Sequence, residues 1–105
     1  MGFRHVVMFR FADHATDEQR AALARGLAGM PAATGAIDSA DYKHGPDLGI
    51  NPNSPNSWDY VVVADFASAE HFLAYRDHPD HQALIRDLVE PVVAQRDSVQ
   101  YETPG

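Results

Sequence analysis

Two segments constrain the fold more than anything else in the chain. Residues 3–11 (Phe-Arg-His-Val-Val-Met-Phe-Arg-Phe) and 58–66 (Trp-Asp-Tyr-Val-Val-Val-Ala-Asp-Phe) are rich in β-branched and aromatic residues, the signature of strands. Side chains of a strand point alternately to its two faces, and a strand with one wet face alternates apolar with polar residues. These two do not. In the first, Phe3, Val7, Phe9 and Phe11 share one side with His5, while the other side carries Val6 and Met8 between Arg4 and Arg10. Both faces of the sheet they form therefore need cover. A chain of 105 residues forms one domain, 1–105, with a modest core.

The remaining signals supply cover for one face. Thr16-Asp-Glu-Gln19 is a capping box that opens a helix, with acids suited to the positive helix start. Leu23, Leu27 and Met30 follow on one stripe. Gly26 and Gly29 weaken this helix, and Pro31 is expected to end it. Residues 36–44 form a weaker strand candidate, and 45–57, rich in Gly, Pro, Asn and Ser, are expected to be one long mobile loop. Ser68 opens a second helix running to about Tyr75. Pro79 restarts it with His78 near the N-cap, and His81, Leu84, Ile85 and Leu88 then lie on one face. Pro91 closes this region, and 97–102 are a last short strand.

The order is βαββαβ, an α+β chain with the ferredoxin-like plan: a four-stranded antiparallel sheet with both helices on one face. The helix face is expected to carry His5, Val7, Phe9, Phe11, Tyr60, Val62, Ala64 and Phe66. The opposite face exposes Val6, Met8, Val61 and Val63, a contiguous apolar patch of the kind that marks an interface. A two-fold homodimer is the commonest closed solution, so the expected partner is a second copy packed sheet to sheet.

Composition removes other partners. The chain has 8 Lys+Arg against 15 Asp+Glu, a formal net charge of -7. Lys43 is the single lysine and the arginines are dispersed, so no cationic patch exists for nucleic acid or an anionic membrane. The absence of cysteine removes disulfides, thiolate metal sites and Cys nucleophiles. The first residues lack a basic segment followed by a long apolar run, and no apolar stretch approaches the ~20 residues of a membrane span; a cytoplasmic location is expected.

Six histidines are the chemically most informative residues. His14, His44 and His71 sit among polar or loop residues and are expected at the surface. His5, on an inward strand position, His81, on the inward stripe of the last helix, and Tyr75, three residues after Phe72, converge on the space between sheet and helices. His81 lies in the first turn after Pro79, where the positive helix end disfavours an imidazolium. A neutral base is the result, and histidine is the side chain best suited to exchange protons near neutral pH. Tyr75 is placed to donate a hydrogen bond to a substrate oxygen or enolate. The same three tips would equally satisfy backbone groups in an ordinary core. Val7, Phe9, Leu27, Tyr60, Val62, Phe72 and Leu84 are the expected pocket walls. His78 and His81 are three apart, but zinc needs further ligands, so no metal and no cofactor are expected. There is no Gly-x-Ser-x-Gly nucleophile motif, and Gly45-Pro46 is a turn rather than a phosphate loop.

His5-Val-Val-Met-Phe-Arg-Phe11, the capped helix at Thr16, Asp59-Tyr-Val-Val-Val-Ala-Asp-Phe66 and Ala74-Tyr-Arg-Asp-His-Pro-Asp-His81 resemble the stress-responsive α/β-barrel (Dabb) family over almost the whole chain. The resemblance implies a dimeric α+β barrel. Its olivetolic acid cyclase-type members close a linear polyketide by a cofactor-free aldol condensation, with a His as base and a Tyr that binds substrate. Those positions align with His81 and Tyr75, and a pocket His of the first strand aligns with His5. Leu27 stands where such members have a cavity Tyr, and Tyr60 where they have a His. Three functions are compatible with this sequence. The first is a cofactor-independent cyclase or aldol-type enzyme acting on a small apolar carbonyl compound. The second is a non-catalytic dimeric stress or ligand-binding protein. The third is a dimeric α+β barrel monooxygenase, to which Trp58 and His78 would be relevant.

Overall fold

In the computed structural model, which describes residues 2–51 and 57–104, β1 (Gly2–Phe11) lies in the interior of a four-stranded antiparallel sheet. It pairs with β3 (Tyr60–Phe66) on one side and β4 (Val93–Thr103) on the other, and β2 (Tyr42–Pro46) closes the far edge in the order β2-β3-β1-β4. This is the ferredoxin-like arrangement expected from the βαββαβ order. The register places Val6 opposite Val63 and Met8 opposite Val61, so the four apolar residues of the open face form two direct cross-strand pairs. Beside them, the Arg4 guanidinium grips Asp65 through two hydrogen bonds of 2.6 and 2.9 Å.

On the other face β3 alternates strictly. Tyr60, Val62, Ala64 and Phe66 are buried, whereas Val61, Val63 and Asp65 are half-buried. Leu23 and Leu27 of α1 (Asp17–Ala28) and Met30 pack into this layer. Leu23, Val62 and Val89 are fully buried, each contributing roughly 1.5–3 kcal/mol through loss of apolar surface from water. The capping box forms as read: Thr16 Oγ accepts from the Gln19 amide at 3.1 Å, and the Gln19 side chain accepts from the Thr16 amide at 2.9 Å.

Several boundaries differ from expectation. Pro31 does not end the first helical region. The chain turns at Gly29 and resumes as α2 (Met30–Thr34), with Pro31 in the first turn, where its missing N–H costs no hydrogen bond. Gly26 is more than a weak point. A Cβ there would come within 2.5 Å of Leu88 and 2.8 Å of Leu84, so the bare backbone lets α1 approach the last helical region. The weak strand candidate contracts. Ser39–Asp41 form a 3-10 turn, and β2 starts at Tyr42 and runs through Gly45 and Pro46. Proline is tolerated there because β2 is an edge strand. The expected loop over 45–57 therefore begins two residues later, and residues 52–56 lie outside the described residues.

The last strand spans Val93–Thr103 instead of 97–102. Its polar residues concealed it; ladder bonds to β1 define it. The second helical region is α3 (Ala69–Asp77), α4 (Pro79–Leu84) and a π-type turn at Ile85–Val89 closed by Glu90 N–H to the Ile85 carbonyl at 2.9 Å. Phe72 stacks on Phe3 (5.2 Å between ring centres) and meets Phe66 edge-on (5.6 Å), fastening α3 to the sheet. Among the described residues no helix is long and apolar enough to cross a membrane.

Candidate functional site

A cavity of about 650 Å³ lies between the sheet and the helical layer, and His5, Tyr75 and His81 all line it. Each comes from a different element, and each is placed by local rules. His5 follows from strand alternation on β1. Tyr75 sits one turn beyond Phe72 on α3. His81 is set by the restart of the helix at Pro79, whose N-cap is His78: its Nδ1 accepts from the Asp80 amide at 3.1 Å. That cap fixes His78 in a local structural role apart from His81. Among the described residues there is no group of three or more metal-ligating side chains.

His81 Nδ1–H donates to the Arg76 carbonyl at 3.0 Å, which selects the tautomer with the Nε2 lone pair free. Burial lowers the His81 pKa from the ordinary 6.5. The Arg76 hydrogen bond and the Asp77 carboxylate partly oppose this, while charges on His5 and Arg96 push further down. Loss of solvent is thus the main cause of neutrality, whereas the sequence pointed to the helix end. His5 is also lowered by burial, partly offset by its 2.7 Å Nδ1 contact with Gln100 Oε1. Its ring packs 4.8 Å from Phe72.

Tyr75, only 2% exposed, lies with its ring centre 4.3 Å from that of His81. Its hydroxyl shares a 2.8 Å hydrogen bond with that of Tyr42. Burial raises both phenols, Tyr75 to about 12 and Tyr42 further, so both keep their protons at neutral pH and can donate. Tyr42 also lines the cavity. It is a pocket residue that sequence reasoning missed, because β2 has too few apolar residues to declare its alternation.

Val7, Phe9, Leu27, Val62, Phe72 and Leu84 line the cavity. Tyr60 does not. It is buried against the far edge of the sheet, where its hydroxyl bonds His44 Nδ1 at 2.6 Å, and it borders a separate depression with Phe11 and Arg20. His44 is correspondingly half-buried and not a surface residue, with its pKa lowered by burial. His14 and His71 are exposed as expected, His14 against the Pro91 carbonyl and His71 beside the Ser68 cap. Trp58 is half-buried under the Arg10 guanidinium, 4.5 Å from its ring centre. The far wall was also absent from the sequence reading. Arg96, Ser98 and Gln100 of β4, with Arg76 and Gln82, complete the lining.

The comparisons with known proteins agree with this architecture. The sequence profile of the Stress Responsive A/B Barrel Domain (Dabb) matches residues 3–103. A dimeric ferredoxin-like protein of unknown function from Thermobifida fusca is 36% identical. It aligns over 98% of this chain and 92% of its own with a TM-score of 0.83. A Dabb family protein from Mesorhizobium loti is 22% identical, with a TM-score of 0.76 over 99% of this chain and 98% of its own. A hydroxynitrile lyase from Passiflora edulis shares the fold at 16% identity, with a TM-score of 0.84 over 98% and 94% of the two chains. No curated protein matches the sequence. The profile match over nearly the full length, together with the 36% identical relative, establishes that the chain belongs to the stress-responsive A/B barrel domain family.

Proposed function

We propose that the protein is a homodimeric, cofactor-independent enzyme that removes a proton next to the carbonyl of a small, largely apolar compound, in the manner of an aldol-type cyclase or lyase. The observation that carries this reading is the convergence of His5, Tyr75 and His81 on one cavity of about 650 Å³ with otherwise mainly apolar sheet and helix walls. That volume lies in the range of small-molecule sites.

His81 Nε2 is the base. Its Nδ1–H is committed to the Arg76 carbonyl and its neutral form is favoured by burial, so the free lone pair is available at neutral pH. The substrate C–H bond breaks, its proton passes to Nε2, and the electron pair moves toward the carbonyl oxygen to give an enolate. Tyr75 donates a hydrogen bond to that oxygen, with Tyr42 donating in turn to Tyr75, and His5 holds a second oxygen. Donors preset at the position where negative charge develops stabilise the transition state without reorganisation. The fold also carries the Passiflora hydroxynitrile lyase, which supports an enzyme on this scaffold at the level of analogy alone.

Dimerisation through Val6, Met8, Val61 and Val63 is supported by their direct pairing on the open face and by the 36% identical relative being a dimer. It leaves the cavity, on the opposite face, accessible in each copy.

The test is α-proton exchange of 2-octanone in deuterium oxide, followed by NMR. The wild-type protein accelerates exchange, and His81→Ala lowers the rate by about 10²-fold or more, the usual contribution of a positioned base. Equal rates in the two proteins overturn the assignment of His81. Saturable binding with no acceleration by wild type overturns catalysis in favour of a ligand-binding protein.

A further inference from the structure

We infer that the cavity takes an anionic ligand, a carboxylate-bearing carbonyl compound, and that Arg96 binds its carboxylate. The inference rests on the proposed site and names the substrate class. The cavity has two unlike walls. One is apolar, built from β1, β3 and the helices. The other is the inner face of β4, where Arg96, Ser98 and Gln100 alternate inward opposite Phe9, Val7 and His5. Four residues along a strand span about 13 Å. A ligand lying along β4 with one end at His5 and Gln100 therefore reaches Arg96 with the other.

Among the described residues, the charges at this wall are unevenly matched. Arg76, the other arginine of the lining, already holds Asp77 through two hydrogen bonds of 2.8 and 3.1 Å. No hydrogen bond or ion pair ties Arg96 to a carboxylate. Asp97, which also borders the cavity, stands opposite Met8, and strand alternation turns its side chain toward the open sheet face. Gln100 is occupied by His5. Arg96 is thus a guanidinium on the rim of an apolar cavity, in a protein of net charge -7, with its carboxylate-binding fork unused. Arginine's planar fork matches a carboxylate with two parallel hydrogen bonds. Its position leaves Tyr75 and His81 to the carbonyl.

The matched probes are octanoate and octanamide, equal in length and differing in charge, titrated by calorimetry at low salt. Wild type binds octanoate at least about tenfold more tightly than octanamide, the usual advantage of a charge-assisted bond, and the difference shrinks with added salt. Arg96→Gln removes the preference, and Arg96→Lys retains part of it. Both variants keep the wild-type Tm, since the side chain is exposed. Equal affinity for the two probes in wild type, no saturable binding of octanoate, or an undiminished preference in a folded Arg96→Gln each overturns the inference. Failure of the base reading is separable. It appears as unchanged 2-octanone exchange in His81→Ala, a neutral probe that does not involve Arg96, while the octanoate preference stands or falls on its own.

Discussion

The imidazoles carry the chemistry that distinguishes this core from an inert one, and each is held neutral by burial. His5, His44 and His81 all have pKa values below the ordinary 6.5. In the unfolded chain they take up protons first as pH falls, so folding stability is full above 6.5, declines as pH falls below it, and levels off beneath the folded values. Urea midpoints measured between pH 7.5 and 5 are expected to fall in that window, and His81→Gln to flatten the slope; a midpoint that rises with acidification would contradict this. Asp65 titrates in a lower window. Arg4 holds its carboxyl below the usual 3.8, so its stabilisation is present above that value and lost only as pH drops further. At this scale the sequence marked His5, Tyr75 and His81 correctly as inward, because alternation and helical spacing are local properties. It misplaced His44 and Tyr60, whose 2.6 Å bond depends on β2 pairing with β3, a contact between segments that local pattern does not specify.

At the scale of elements, caps and prolines set the boundaries more firmly than apolar runs do. Thr16 and Ser68 each accept from the amide three residues on, and Pro79 restarts the second helix behind the His78 cap. Thr16→Ala removes the bond that the hydroxyl accepts from the Gln19 amide and keeps the backbone N–H that donates to the Gln19 side chain. It is expected to cost about 1 kcal/mol, read as a Tm lowered by about 4–8 °C for a domain near this size; a Tm within 1–2 °C of wild type, on the order of measurement error, would show that packing alone holds α1. The elements that were illegible were those defined by their neighbours. β4, with polar residues along most of its length, is a strand because β1 supplies its hydrogen bonds over ten register pairs from Gly2 to Phe11. Pro31, read as a stop, is accommodated in the first turn of a new helix that begins after Gly29, where its missing N–H costs no hydrogen bond.

At the scale of the molecule, the sheet has one face under helices and one without cover. The proposed second copy on the Val6, Met8, Val61 and Val63 face would account for why β1 and β3 are apolar on both sides. Sedimentation is expected to give twice the 11.5 kDa chain mass. Val63→Asp is expected to give monomer or unfolded protein, since an unpaired charge in an apolar interface is poorly tolerated. A wild-type monomer, or an intact Val63→Asp dimer, would refute the sheet-to-sheet arrangement. The sequence by itself determined the element order, the helix starts, the two-faced strands and the inward direction of three polar residues, all consequences of period, capping and residue type. Only the tertiary structure decided that these three share a cavity, that Tyr42 joins Tyr75, that Tyr60 lies outside, and that β4 gives the cavity a polar wall ending in Arg96. Those facts are set by strand register and by the distance between layers, which arise from pairing between residues far apart in the chain.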